Sequence, residues 1–278
     1  MVISEQDSVR QTATERYGEI ARGTESGCGC GEGGGCCPPH ATPSENTATV
    51  EVAGHENAPE HLDYSPVDLA NVPDGSDLGL GCGNPGAIVA LRPGEVVLDL
   101  GSGGGLDCFL ASSQVDPSGQ VIGVDMPPDM VAKARRNAAV GGFENVEFRI
   151  GEIEHLPVAD ESVDAIISNC VVNRSPGKRA VYTEVLRVLR PGGRLAILDI
   201  VATVELPDDA RADMELLTGC VSGASMIGEL QETLAELGFA NITVQTSAQS
   251  EAFIDEWVTG GNVQDYAESA NIEAVKPA

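Results

Sequence analysis

The chain has 278 residues, 42% of them hydrophobic, with 43 acidic against 16 basic side chains and a formal net charge of −27. That length holds one sizeable core with an appendage or two small domains, and the hydrophobic fraction argues for a folded chain over an acidic disordered one. So acidic a surface repels phosphate backbones, which excludes nucleic acid as a partner; with Lys133, Lys178 and Lys276 as its few lysines it points to adaptation to high salt, where carboxylates hold water and self-repulsion is screened.

The opening run MVISEQDSVRQTATER has neither the basic start nor the apolar stretch of a signal peptide. No apolar run approaches the roughly 18 residues that a bilayer span needs, so the expectation is a cytoplasmic protein with no membrane partner. Residues 1–60 are rich in Gly, Glu, Thr and Pro with little apolar periodicity, and predict a flexible acidic tail. Its centre, GCGCGEGGGCC, holds Cys28, Cys30, Cys36 and Cys37. Two readings stand for it: thiols that do little in the fold, or a flexible donor that hands a ligand to the site or helps close it. Eight cysteines without a CxxC pair fit a tetrahedral zinc site poorly, and in a reducing compartment they read as metal-binding, catalytic or buried thiols.

Residues 61–278 predict one α/β domain. From about residue 94 short β-branched runs alternate with helical stretches, the signature of a mostly parallel, doubly wound sheet covered on both faces. Strands are predicted at 96–100, 121–125, 146–150, 163–168 and 194–200, and helices at about 105–114, 128–139 and 178–189, the last stopped by Pro191, Gly192 and Gly193. A helix over 226–237 and an edge strand at 239–246 follow. Residues 201–225, which contain Cys220, break this rhythm and predict a substrate-binding insertion near the C-terminal strands.

In such sheets ligands bind beyond the carboxyl ends of the strands. The run Asp99, Leu100, Gly101, Ser102, Gly103, Gly104, Gly105 closes the first strand and opens a helix, with glycines that let backbone approach a ligand. A dinucleotide site would want a third glycine at 106, where Leu106 stands. Asp125 ends the second strand 24 residues past Gly101, the place from which an acid accepts ribose hydroxyls, with Met126 after it. Glu152, Ile153 and Glu154 close the third strand; Asp160 reads as a turn residue.

The thiols are the second constellation. Cys170 lies just beyond the fourth strand, hence beside the first strand's loop, and Asn169 precedes it. Cys82 sits in a Gly-Cys-Gly turn whose glycines leave its sulfur accessible, whereas Cys108, next to Phe109 and Leu110, reads as core. Thiolates from Cys82, Cys170 and Cys220 would trap a soft atom with one face open. The four histidines, His40, His55, His61 and His155, form no ligand spacing.

The acid two residues before Gly101 looks like motif I of class I S-adenosylmethionine-dependent methyltransferases. Together the strings GCGNPGAI, VLDLGSGGGLDCFLA, VIGVDMPPDMVAKAR, NVEFRIGEIEHLPVADESVDAIISNCVVN and GCVSGA resemble arsenite S-adenosylmethionine methyltransferases over about residues 62–240. The resemblance implies a Rossmann-like class I methyltransferase fold, S-adenosyl-L-methionine as cofactor, and methylation of trivalent arsenic, arsenite and then methylarsenite, in arsenic detoxification. Carried over by position, it makes Cys82, Cys170 and Cys220 the catalytic arsenic-binding thiolates. It makes Asp99, Gly101, Ser102, Gly103, Gly105, Asp125, Met126, Glu152, Ile153, Glu154 and Asn169 the cofactor site. It also implies a thiol reductant, thioredoxin or a small thiol, because thiols that return oxidised arsenic to the trivalent state end as a disulfide. Whether Cys36, Cys37 or neither pairs with Cys82 stays open. Two positions depart from the family pattern: Pro127 where a hydroxyl residue is usual, and Arg174 where an apolar one is common, in the wall beside Cys170. On the residues alone two alternatives remain, a methyltransferase for another small molecule with structural cysteines and a non-catalytic arsenite-binding protein.

Overall fold

The computed structural model describes residues 5–23, 64–205, 221–247 and 266–278. In chain order these form α1 (Glu5–Arg22), α2 (Pro66–Ala70), α3 (Gly86–Val89), β1 (Val96–Leu100), α4 (Leu106–Val115), β2 (Gln120–Asp125), α5 (Pro128–Gly141), β3 (Val146–Ile150) and β4 (Val163–Asn169). A single 3-10 turn (Val172–Arg174) leads to α6 (Lys178–Val188), β5 (Leu189–Ala202), β6 (Ser225–Met226), α7 (Ile227–Leu237), β7 (Ala240–Ser247) and β8 (Ala267–Val275). The predicted tail cysteines, most of the predicted insertion and Cys220 itself lie outside the described residues.

The strands build one sheet in the order β3-β2-β1-β4-β5-β8-β7, with β6 beside the end of β5. β1 pairs in parallel with β2 on one side and β4 on the other, so strand order reverses at β1 and opens a crevice at the carboxyl ends of β1 and β4. β-branched runs suit these strands because both faces are covered. Along β1, Leu98 and Leu100 enter one apolar cluster with Val181, Val185 and Val188 of α6 and Leu230 and Leu234 of α7. Val97 enters the opposite cluster with Phe109 and Val115 of α4 and Val131 and Ala134 of α5. This period-2 alternation buries side chains each contributing roughly 1.5–3 kcal/mol, and so locks strand register.

The expected parallel strands and their helices stand within a residue or two of their predicted bounds, and three features differ. β5 starts at Leu189, before Pro191, because Leu189 pairs with Val163 and the ladder resumes at Arg194 after an irregularity. β8 was not expected: AESANIEAV has few β-branched residues, yet it runs antiparallel between β5 and β7, with its alternate residues Ala270, Ile272 and Ala274 in the same apolar cluster as Leu98 and Leu100. Finally, residues 5–22 of the expected flexible tail form α1. Its low hydropathy hides a stripe at helical spacing, Ala13, Tyr17, Ile20 and Ala21, which packs on Met130, Leu78 and Leu80.

Candidate functional site

The crevice at β1 and β4 is an open cleft, lined by the loop after β1, the carboxyl ends of β2 and β4 and residues of α1. One wall is the loop after β1. Gly101 and Ser102 both donate their amides to the Val124 carbonyl (2.8 and 3.1 Å), which folds the loop back over β2. Gly101 is in the left-handed region (φ +74°), and a Cβ there would stand 2.6 Å from Val171, so only glycine lets the loop approach β4. Gly103, also left-handed (φ +52°), has nothing within 4 Å of where a Cβ would be: its face is open to the cleft. Ser102 Oγ is buried and has no hydrogen-bond partner among the described residues.

Asp125 links this loop to β2. Its Oδ2 accepts the Gly103 amide at 2.7 Å and its Oδ1 the Met126 amide at 2.8 Å. Burial pushes its pKa up, while those two amides and the Arg174 charge pull it back. Of the residues expected at the cofactor, Gly101, Ser102, Gly103, Asp125, Met126, Glu152, Ile153, Glu154 and Asn169 line the cleft. Asp99 and Gly105 do not, and here the expectation is corrected. Asp99 is buried behind the loop and accepts the Cys108 thiol at 3.2 Å. Burial and the nearby Asp107 and Asp125 hold its carboxyl well above the usual range. Gly105 (φ +100°) faces the Phe109 and Phe148 rings, and its missing Cβ lets α4 pack against β3. Cys108 is fully buried, in keeping with its expected core role.

Side chains that the sequence reading did not select complete the walls. Tyr64 donates to Asp107 Oδ1 at 2.6 Å, and Asn169 donates to Asp107 Oδ2 at 3.3 Å. Burial pushes Asp107 up to about 6 against the opposing pull of these two bonds. Asp107 was legible in principle, as an acid in the first turn of the helix after a Gly-rich loop; Tyr64, far away in sequence, was not. From α1 come Arg10, Ala13 and Tyr17, and from the segment after Cys170 come Arg174 and Ser175. Arg10 pairs with Glu152 (3.5 Å) and Glu154 (3.3 Å), and Glu154 also accepts the Ser175 hydroxyl at 2.7 Å. Pro127, a noted departure, lines the cleft beside Met126.

The cysteines adjoin this cleft. Cys82 and Cys170, 88 residues apart in sequence, are joined as a disulfide with a Cα–Cα distance of 6.0 Å. Neither open pairing of Cys82 with a tail cysteine is present in this state. Asn169 binds the Cys82 loop directly: its Oδ1 accepts the Cys82 amide at 2.8 Å and its Nδ2 donates to the Gly83 carbonyl at 2.6 Å. The flanking glycines do not expose the sulfur as expected. A Cβ at Gly81 would lie 2.6 Å from the Asn169 amide nitrogen and one at Gly83 2.9 Å from Leu198, so these glycines let the loop press inward, and Cys82 is only 3% exposed. Cys170 is fully buried in the left-handed region (φ +53°), a costly conformation for a non-glycine residue of the kind that clusters at functional sites. Around the pair lie Leu198, Ile200, Ala202, Val221 and Ala267. Val221, the residue after Cys220, therefore shares the apolar cluster of the other two thiols. Among the described residues no three His, Cys, Asp or Glu side chains are grouped to hold a metal ion.

Beneath Cys170 the turn is held by Asp199. It accepts the Asn173 amide at 3.1 Å and the Asn173 side chain at 2.9 Å, and Lys178 binds the Gly223 carbonyl and the Ser225 hydroxyl (2.7 Å). Burial pushes Asp199 up to about 6, opposed by the Ile200 and Asn173 amides and by the Lys178 and Arg174 charges. A buried acid with a raised pKa stabilises the fold only while it is protonated, so that contribution is complete below the unfolded value near 3.8 and is lost as pH rises through about 6. Wild type is expected to lose on the order of 3 kcal/mol more than Asp199→Asn across this window. Urea unfolding of both proteins from pH 4 to 7 checks it, and parallel pH profiles would place the Asp199 titration elsewhere.

A family model described as a methyltransferase domain matches residues 91–238. The arsenite methyltransferase of Halobacterium salinarum is 50% identical over 277 residues, covering 98% of this chain and 68% of the relative. The arsenite methyltransferase of Aquipseudomonas alcaligenes is 42% identical over 159 residues, and this chain's matched part spans 46% of that relative's length. Among solved structures, an arsenic(III) S-adenosylmethionine methyltransferase from Chlamydomonas reinhardtii superposes with a TM-score of 0.59 at 31% identity, covering 78% of this chain and 71% of that one.

Proposed function

Because the chain belongs to the arsenite methyltransferase family, we propose that its cleft and its buried cysteines together methylate trivalent arsenic, arsenite first and methylarsenite next, with S-adenosylmethionine as methyl donor. The fold is that of class I methyltransferases and the cofactor is S-adenosylmethionine. The donors in the cleft fit that cofactor: Ser102 Oγ lacks a partner, Gly103 leaves an open backbone face, and Asp107 and Asp125 set carboxylates against a ligand that carries positive charge. When bound, the cofactor supplies an electrophilic methyl group on a sulfonium.

The single observation that carries the substrate is the convergence of Cys82 and Cys170, from segments 88 residues apart, on one apolar cluster beside the cleft. Reduced, the two residues would offer a pair of thiolates from backbone positions 6.0 Å apart, and thiolates bind soft atoms. Cys220 is the third thiolate of the proposal, supported by Val221 in the same cluster. Arsenic held by thiolates keeps a lone pair, so the transfer asks for no general base; the protein's part is to orient and to keep water out. Asn169 does the first by joining the Cys82 loop to the cleft wall, and Leu198, Ile200 and Ala267 do the second. Methyl transfer formally oxidises arsenic, and thiols that restore the trivalent state become a disulfide. Cys82–Cys170 suits that role, and thioredoxin or a small thiol is the proposed reductant. A reducing cytoplasm is the compartment in which such thiols work.

The test is product speciation after incubation with arsenite, excess thiol and methyl-labelled cofactor. Labelled methylarsenicals in proportion to S-adenosylhomocysteine are expected. Arsenite binding without S-adenosylhomocysteine would make the protein a sequestering one instead.

A further inference from the structure

The cleft has a wall that neither the Gly-rich loop nor the cysteines account for. α1 sends Arg10, Ala13 and Tyr17 into its lining, opposite Gly101–Gly104, Asp125 and Met126. Three attachments hold the helix there. Arg10 pairs with Glu152 and Glu154, Arg22 pairs with Asp129, and Tyr17 and Ala21 pack with Met130, Leu78 and Leu80. Leu78 and Leu80 belong to the segment that leads into Cys82. A fourth attachment joins two residues of the cleft lining: the Arg174 guanidinium carbon lies 4.5 Å from the centroid of the Tyr17 ring. Arg174 ends the 3-10 turn that follows Cys170.

From this placement we propose that α1 covers the bound cofactor, and that Tyr17 and Arg174 act as positioning residues which clasp the cover shut across the cleft. The proposal rests on the reading that the cleft holds S-adenosylmethionine. A guanidinium over an aromatic face is attracted by the ring's quadrupole, and the attraction grows when both are shielded from water. The clasp ties α1 to the turn after Cys170, beside the Arg10–Glu154–Ser175 bridge, so a nucleoside beneath Tyr17 leaves only when the ring and the guanidinium part. An apolar residue at 174 would fill part of the same wall without that attraction. The clasp also reaches both cysteine segments, through Leu78 and Leu80 towards Cys82 and through the 3-10 turn towards Cys170.

The experiment is a double-mutant cycle read as the Kd for S-adenosylhomocysteine by titration calorimetry on the full chain. Arg174→Leu and Tyr17→Leu are each expected to weaken binding by about two- to thirtyfold, the range of a cation–π contact, and the double variant no more than the stronger single one. Tyr17→Phe should keep wild-type affinity because the ring remains, and Arg174→Lys should recover part of the loss. A purely structural α1 would lower the melting temperature of these variants without moving the Kd. Wild-type affinity in Arg174→Leu, or losses that multiply in the double variant, would overturn the clasp. Should Tyr17→Leu fail to fold, Arg174→Leu against Arg174→Lys decides, since Arg174 lies outside the apolar clusters. Failure of the wild-type chain to bind S-adenosylhomocysteine would overturn the cofactor reading and the clasp with it, an outcome distinct from equal binding by all variants.

Discussion

Cys170→Ser protein, assayed at matched folded fraction, should release no methylated arsenic from arsenite or from methylarsenite. Serine replaces a soft, ionisable thiol by a hard hydroxyl that stays protonated, and arsenic binds the former. The site is proposed to act as a unit, so losing one thiolate costs nearly all of the activity. Stability must be separated from chemistry here. The substitution opens a crosslink spanning 88 residues and buries a hydroxyl where the surroundings are Leu198, Ile200 and Val221, which costs on the order of 1–3 kcal/mol for the hydroxyl alone. Cys82→Ser opens the same crosslink and serves as the control. If Cys82 mainly closes the disulfide, its variant should fail on arsenite yet still methylate methylarsenite, which needs only two thiolates. Cys108→Ser should lose stability and keep chemistry, since its thiol faces Asp99 behind the loop. Full activity of Cys170→Ser on both substrates would sink the thiolate mechanism.

Asp125→Ala is expected to weaken cofactor binding about tenfold or more while arsenite binding persists. Two losses combine. The carboxylate is the proposed acceptor for the ribose hydroxyls, and it already holds the Gly103 and Met126 amides, so its removal frees the loop that approaches the ligand. Hydrogen bonds to a charged group contribute roughly 1.5–3 kcal/mol, which sets the fold-change. Calorimetric titration with S-adenosylhomocysteine measures it directly. Asp125→Asn makes the second comparison, because one side-chain oxygen can still take an amide; affinity between wild type and Asp125→Ala is expected. Unchanged affinity in Asp125→Ala would move the nucleoside away from β2.

Strands β1 to β5, the helices between them and the Gly-rich loop were legible because their information is local. β-branched runs, a left-handed glycine turn and ProGlyGly act within a few residues of themselves. Cys82, Cys170, Asp125 and Asn169 were legible as candidates for the same reason, since each sits at a strand end or in a marked turn. Arg174 is legible as a departure within its own string, whereas its partner Tyr17 lies far away in sequence and is not. β8 and α1 escaped because neither is marked by its own composition: an alanine-rich strand gains its energy from two antiparallel neighbours, and a polar helix from a narrow stripe laid on Met130, Leu78 and Leu80.

By itself the sequence determined an α/β chain with a nucleotide-type loop after β1, an acid after β2 and cysteines placed at turns, because period-2 burial and glycine conformations are written into neighbouring residues. Tertiary structure alone decided which groups meet. It set Asp99 behind the loop rather than in the cleft, turned the glycines beside Cys82 into a means of burying it, joined Cys82 to Cys170, and brought Tyr64, Tyr17 and Arg174 to the walls. Contacts between residues tens to more than a hundred positions apart depend on how whole faces pack, and no short window of sequence carries that information.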